Sequence, residues 1–187
     1  MYTGLSHGFH DAAICYIDGQ EILEAHHSER HSRIKNDKNL WPEFEIKGKS
    51  VFYERPFLKN LRRLYAGQSW KTRPKSDHYV SHHWSHAAAA YYTRPFAEEP
   101  VCVVIDAIGE WDTVSIWYKR KKVWSIKYPQ SLGLFYSAVT KSIGLKPMED
   151  EYITMGLAAY GKPHYLITQV KTLRAIMLIL LLVLKRS

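Results

Sequence analysis

The stretch from Ser81 to Thr113, SHHWSHAAAAYYTRPFAEEPVCVVIDAIGEWDT, constrains this chain more than any other, because it joins a helix with paired histidines to a strand that stops at an acid. His82 and His86 are four residues apart and lead into Ala87-Ala88-Ala89-Ala90. Alanine has the strongest intrinsic helix propensity, so the two imidazoles fall on successive turns of one helical face. Downstream, Val101-Cys102-Val103-Val104-Ile105 is an unbroken apolar run that predicts a buried strand, ended by Asp106 and a turn at Ala107-Ile108-Gly109. Two neutral imidazoles and a carboxylate, with coordination positions left over, suit zinc or ferrous iron acting as a Lewis acid. In a chain with ten histidines the same spacing also suits solvated or packed side chains, and the residues alone leave both readings open.

The remainder must supply a core and something for this stretch to pack on. With 46% hydrophobic and 24% charged residues over 187 positions, the chain has the composition of a globular domain or of part of a larger one. The net charge of +8 favours anionic partners such as nucleotides, phosphorylated metabolites or RNA, without choosing among them. Cys15 and Cys102 both sit in apolar runs and form no metal-knuckle spacing, which fits a reducing cytoplasm. The opening MYTGLSHGFHDAA has neither the basic nor the apolar region of a signal peptide.

Alternation of short elements predicts the local structure. Ala12 to Ile17 reads as a strand, Asp18-Gly19 as a hairpin turn and Gln20 to His26 as the returning strand, which leaves His10 and Asp11 in the loop before the first arm. Ser28 to Asp37 is dense in charge and predicts a surface or cleft-lining loop, where Arg30, Arg33 and Lys35 suit phosphate as well as they suit local ion pairs. Val51 to Glu54 reads as a strand and Phe57 to Tyr65 as a helix stopped by Gly67. Thr113 to Tyr118 and Val123 to Lys127 read as a hairpin with a charged connection. Ser131 caps a helix over Leu132 to Ile143, and a last helix spans Glu149 to Tyr160.

After Pro163 the character changes. Ala175 to Leu184, AIMLILLLVL, is ten consecutive apolar residues between Arg174 and Lys185-Arg186, about half of what a membrane-spanning helix needs. No membrane association is expected from it. Residues 1–163 read as one unit and 164–187 as an atypical apolar tail, expected to be a frameshift or truncation product, with a helix that packs on a partner chain as the other possibility.

Four blocks together resemble the NodU/CmcH carbamoyltransferases: GFHDAA, SERHSRIKND, HHWSHAAAAYYTRPF with VVIDAIGEW, and YPQSLGLFYSAVTKSIGL with EDEYITMGLAAYGKP. Their order is the family's order, and they cover most of Met1 to Pro163. The resemblance implies an α/β fold, a mixed sheet with helices forming the first half of an actin/sugar-kinase/Hsp70-like domain. It implies that His82, His86 and Asp106 are ligands of a divalent metal, iron by the family's habit, with zinc the alternative. It also implies that His10 is a catalytic histidine, a general base for an acceptor hydroxyl.

In that family an O-carbamoyl group passes from carbamoyl phosphate, through a carbamoyladenylate made with ATP, to a hydroxyl of a small molecule or sugar. Arg30, Arg33 and Lys35 match the family's charged block, and backbone N–H groups at Gly109 and Glu110 suit a phosphate. The YrdC-like domain that makes the adenylate is not in these 187 residues, nor is a further acidic metal ligand, so the chain reads as a fragment awaiting that domain or a partner chain. Ala107 and Ala159 stand where the family has glycine and proline. The alternative readings are a relative of the tRNA threonylcarbamoyladenosine transferases and a non-catalytic metal-binding fragment. Nucleic acid is not the expected partner.

Overall fold

The computed structural model describes residues 1–72 and 74–162. The expected change of character over 164–187 lies outside the described residues. The described residues form a mixed α/β structure with two sheets. The first contains β1 (Tyr2–Ser6), β2 (Ala13–Asp18), β3 (Glu21–His27), β4 (Lys49–Phe52) and β5 (His78–Tyr79) in the order β3-β2-β1-β4-β5. β1, β2 and β3 form an antiparallel meander, and β4 then β5 extend it in parallel. Period-two alternation turns Leu5, Ile14, Tyr16 and Phe52 into one core, against which Leu40, Phe44, Tyr53 and Tyr79 pack.

The second sheet is another antiparallel meander, β6 (Val101–Gly109), β7 (Asp112–Tyr118) and β8 (Lys121–Lys127). The helix α3 (His82–Tyr92) packs on β6 through Ala87, Cys102 and Val104. A second cluster of Val114 and Ile116 takes in Leu132 of α4 (Leu132–Ser142). The middle strand β7 is therefore covered on both faces, and Thr113 to Ile116 are all buried. The Ser131 hydroxyl caps α4 by accepting from Leu134 N at 3.0 Å. The last described helix, α5 (Glu151–Ala158), meets α4 through a hydroxyl contact of 2.8 Å between Thr140 and Thr154.

Four local expectations change. The first hairpin turns at Gly19-Gln20, one residue later than expected, since Asp18 pairs with Glu21 and Gly19 takes φ 58°. Ser28–Ser32 is a short helix, α1, because the buried Ser28 ties its start down: its N–H donates to Ala12 O and its hydroxyl accepts from Trp41 N. α2 (Pro56–Tyr65) forms as expected, but its apolar stripe of Phe57, Leu61, Leu64 and Tyr65 is exposed while Asn60 and Arg62 are buried. Arg62 Nε donates to Glu110 O and Asn60 bonds the backbone of Lys71 on both sides, so hydrogen bonding decides which face points inward.

The fourth change matters most. β6 neither stops at Asp106 nor is buried on both faces: Ile105 is 51% exposed, and the strand runs on to Gly109. Ile105 pairs with Val114 and Gly109 with Asp112, so residues 106 to 108 stand opposite residue 113 alone. A bulge of this kind bends the strand and re-aims its side chains.

Candidate metal centre

The bulge turns Asp106 towards the first turn of α3. Its Oδ1 accepts from the following Ala107 N at 2.7 Å, which fixes the carboxylate, and Oδ2 lies 2.9 Å from His82 Nε2. His86 Nε2 is 3.1 Å from the same His82 Nε2, as the four-residue helical spacing predicts. One ligand atom from each of His82, His86 and Asp106 lies within 4.8 Å of the others. Two features test whether these residues fit a cation. Asp106 Oδ2 is buried and receives no hydrogen bond of acceptable geometry, despite its closeness to His82. Two imidazole nitrogens face each other, with one proton at most to share between them. Ligands bound at 2.0–2.2 Å to one ion stand roughly 3.0–3.5 Å apart, so both short separations suit two edges of a coordination shell. Two atoms bound to one ion at 2.0–2.2 Å stand at most about 4.4 Å apart, so the widest separation, up to 4.8 Å, closes by a few tenths of an ångström when the set takes a divalent metal. His86 is exposed and the other two are half-buried, which leaves one side open in the manner of a catalytic site.

Electrostatics separate the histidines. Burial works against a proton on His82, but Asp106 and Glu54 overcome it and push its pKa up to about 9. Burial also lowers His86, with the neighbouring His82 charge adding to the effect. Asp106, which burial alone would raise, is held below the usual carboxylate range by His82. His83, one residue along, is 2% exposed, and burial takes it down to about 4. Its Nδ1 meets the Ser115 hydroxyl at 2.7 Å, and that hydroxyl accepts from Trp117 Nε1 at 2.8 Å.

Backbone shape lets these groups come together. A Cβ on Gly109 would come within 2.5 Å of His82 Cδ2 and 2.8 Å of His83 Cδ2, so only glycine lets β6 end against both rings. A Cβ on Gly133 would lie 2.5 Å from Ala107 Cα, so the start of α4 presses directly on the bulge. Ser131 Oγ adds a hydrogen bond to Ala107 O. Glu110 joins the two sheets: its Oε1 accepts from Arg55 N at 2.7 Å and from His82 N at 3.3 Å, and burial raises its pKa against both donors.

The other sequence-predicted residues fall into two groups. His10 and Asp106 line one cleft of about 320 Å³, with Ala107, Gly133, Ser137 and Glu151 around it. His10 Nδ1 is 2.6 Å from Asp11 Oδ2, and Asp11 takes φ 52°, a conformation uncommon for a non-glycine residue. Arg30 and Arg33 are exposed on and just after α1, and Lys35 Nζ reaches Tyr152 Oη of α5 at 3.1 Å. Gly109 packs on imidazoles, and the Glu110 side chain binds backbone N–H groups. Sequence reasoning passed over Glu54 and His83. The signal for Glu54 is the one that marks Asp106, an acid directly after an apolar strand run, here Val51-Phe52-Tyr53.

The family described as carbamoyltransferase N-terminus matches residues 47–176. An uncharacterized protein of Synechocystis sp. is 32% identical over 215 aligned positions, covering 87% of this chain and 35% of that protein. An uncharacterized protein of Methanocaldococcus jannaschii is 36% identical over 101 positions, covering 44% of this chain and 17% of the other. The nodulation protein NolNO of Sinorhizobium fredii is 36% identical over 111 positions, covering 56% of this chain and 16% of that one. The chain spans about a third or less of the length of these curated relatives. Among the described residues, no helix is long and apolar enough to cross a membrane.

Proposed function

The chain belongs to the carbamoyltransferases that carry this N-terminal domain, and from that premise we propose that it forms the metal-bearing part of an O-carbamoyltransferase of the NodU/CmcH kind. The observation that carries the proposal is that His10 and Asp106 line one small cleft, which supports a proton-accepting role for the first beside a metal-holding role for the second. His82, His86 and Asp106 would hold the cation, iron or zinc. When bound, the cation supplies Lewis-acid stabilisation of negative charge on the group being transferred.

His10 would act on the acceptor. Paired through Nδ1 with Asp11, its ring keeps Nε2 for the acceptor hydroxyl, takes that proton, and lets the oxygen attack the carbamoyl carbon of carbamoyladenylate. The new C–O bond forms as the bond from that carbon to the phosphate oxygen breaks, and AMP leaves with the electron pair. Ser137 and Glu151, joined by a hydrogen bond, also line the cleft and would orient the acceptor. Arg30, Arg33 and Lys35 would offer positive charge to the anionic donor. Making the adenylate from ATP and carbamoyl phosphate is assigned to the part of the longer relatives that this chain does not span, in the same polypeptide or a partner.

The order β3-β2-β1-β4-β5, antiparallel in its first three strands and parallel in its last three, followed by a second meander, supports reading the fold as the first half of an actin/sugar-kinase/Hsp70-like domain. A chimera tests the function: this chain replaces the matching segment of the Synechocystis protein and is supplied with carbamoyl phosphate, ATP and an amino-sugar acceptor. Carbamate formation that His10→Ala removes is the expected result. Equal rates with and without His10 would reject its role.

A further inference from the structure

The metal reading leaves one buried carboxylate, paired with a half-buried lysine, without a task. Glu54 lies two residues past the end of β4, is 5% exposed, and accepts from one amine, Lys59 Nζ, at 2.7 and 2.9 Å. Taking the Glu54 carboxylate out of water costs several kcal/mol, so pairing it with the half-buried Lys59 alone gains little over an apolar replacement. Glu54 has a second neighbour. Its Oε2 is 3.7 Å from His82 Nδ1, a buried ring nitrogen that has no hydrogen-bond partner among the described residues.

The two nitrogens of His82 thus have different surroundings. Nε2 faces Asp106 and His86, and Nδ1 faces Glu54. The ring is held from the sides by Tyr53, whose ring centroid is 5.4 Å away, and by the bare backbone at Gly109. We propose that Glu54 is a positioning residue for the metal centre. With Nε2 on the cation, His82 carries its proton on Nδ1 and donates it to Glu54 Oε2, while Lys59 keeps that carboxylate in place. A ring movement of about 0.8 Å turns the present separation into a hydrogen bond of ordinary length. Such a carboxylate fixes the tautomer and orientation of the imidazole and raises its basicity as a ligand. The inference rests on the reading of His82, His86 and Asp106 as metal ligands.

The test uses the full 187-residue chain with zinc, and with cobalt(II) as a coloured substitute. Wild type, Glu54→Gln and the double variant Glu54→Gln/Lys59→Met are compared by metal competition titration and by the cobalt visible spectrum, with circular dichroism as the check on folding. Both variants are expected to bind 10- to 100-fold more weakly than wild type, with an altered cobalt spectrum. The double variant leaves no buried charge alone, so it separates the two explanations even if the single variant folds poorly. Wild-type affinity in Glu54→Gln, or affinity restored in the double variant, would overturn the proposal. A wild-type chain that binds neither metal would reject the metal reading itself. Independently of any variant, the long-range proton–nitrogen NMR spectrum of the zinc-loaded chain should show the His82 proton on Nδ1. A proton-free Nδ1 would overturn the assignment.

Discussion

The two faces of the first turn of α3 carry the same residue type into opposite surroundings. On one face His82 and His86 look across to the β6 bulge and to Glu54, and His82 rises to about 9. On the other, His83 packs under β7 against Ser115 and falls to about 4. Both His82 and His83 lose water, so burial alone does not separate them. What differs is the carboxylates: one face has two within 4 Å, while the other has a hydroxyl already occupied by Trp117. The carboxylate-lined face can exchange its proton for a cation, and the other is a neutral spacer that fixes the helix on the sheet.

Gly109 is the point at which both faces can be disturbed at once, because a Cβ there meets both rings. Gly109→Ala is therefore expected to lower unfolding stability in urea by about 1–3 kcal/mol and also to weaken metal binding. Gly133→Ala should cost a similar amount or more, since the atoms it meets are backbone and cannot rotate away. A Gly109→Ala protein with wild-type stability and wild-type metal affinity would break the comparison.

The faces should also respond to pH with opposite signs in the metal-free chain. His82 has a folded pKa above its ordinary value of 6.5, so its stabilising effect is complete below 6.5 and is lost as pH rises through about 9. His83 has a folded pKa below 6.5, so its effect is complete above 6.5 and is lost as pH falls through about 4. Each shift corresponds to about 3 kcal/mol at the two extremes, as an order of magnitude. Urea titrations should show stability falling from pH 6.5 to 9 in wild type but not in His82→Asn. The rise from pH 4 to 6.5 should be reduced in His83→Asn. Identical profiles in all three proteins would show that the electrostatic contrast is wrong.

Metal binding sharpens the same point. A cation at Nε2 must displace the proton that His82 holds below about 9, so affinity is expected to fall up to tenfold for each pH unit between 8 and 7. A competition titration at those two values measures it, and a pH-independent affinity would place the cation elsewhere. The smallest effect is expected at His31, which lies outside the carboxylate-lined face and stacks on Trp41. His31→Ala should leave metal content unchanged.

The sequence made the His82–His86 spacing legible because helical periodicity is local, and it marked Asp106 because an acid that follows five β-branched or small apolar residues is conspicuous. It could not give the bulge, since a register break between β6 and β7 depends on pairing across strands. That break is why a strand expected to end at Asp106 continues past it and still delivers the carboxylate to α3. Nor could it join Glu54 to His82, or His10 to Asp106, because 28 and 96 positions of chain separate them and only tertiary packing closes those distances. The apolar stripe of α2 was visible as periodicity, yet its orientation was set by the hydrogen bonds of Asn60 and Arg62.

The central claim is that the carboxylate-lined face of α3 holds one metal ion. Elemental analysis of the purified chain, reloaded with iron(II) or zinc and then desalted, tests it directly. Wild type is expected to retain about one ion per chain, and His82→Ala and Asp106→Ala less than about a tenth of that. Equal metal content in wild type and both variants would contradict the account.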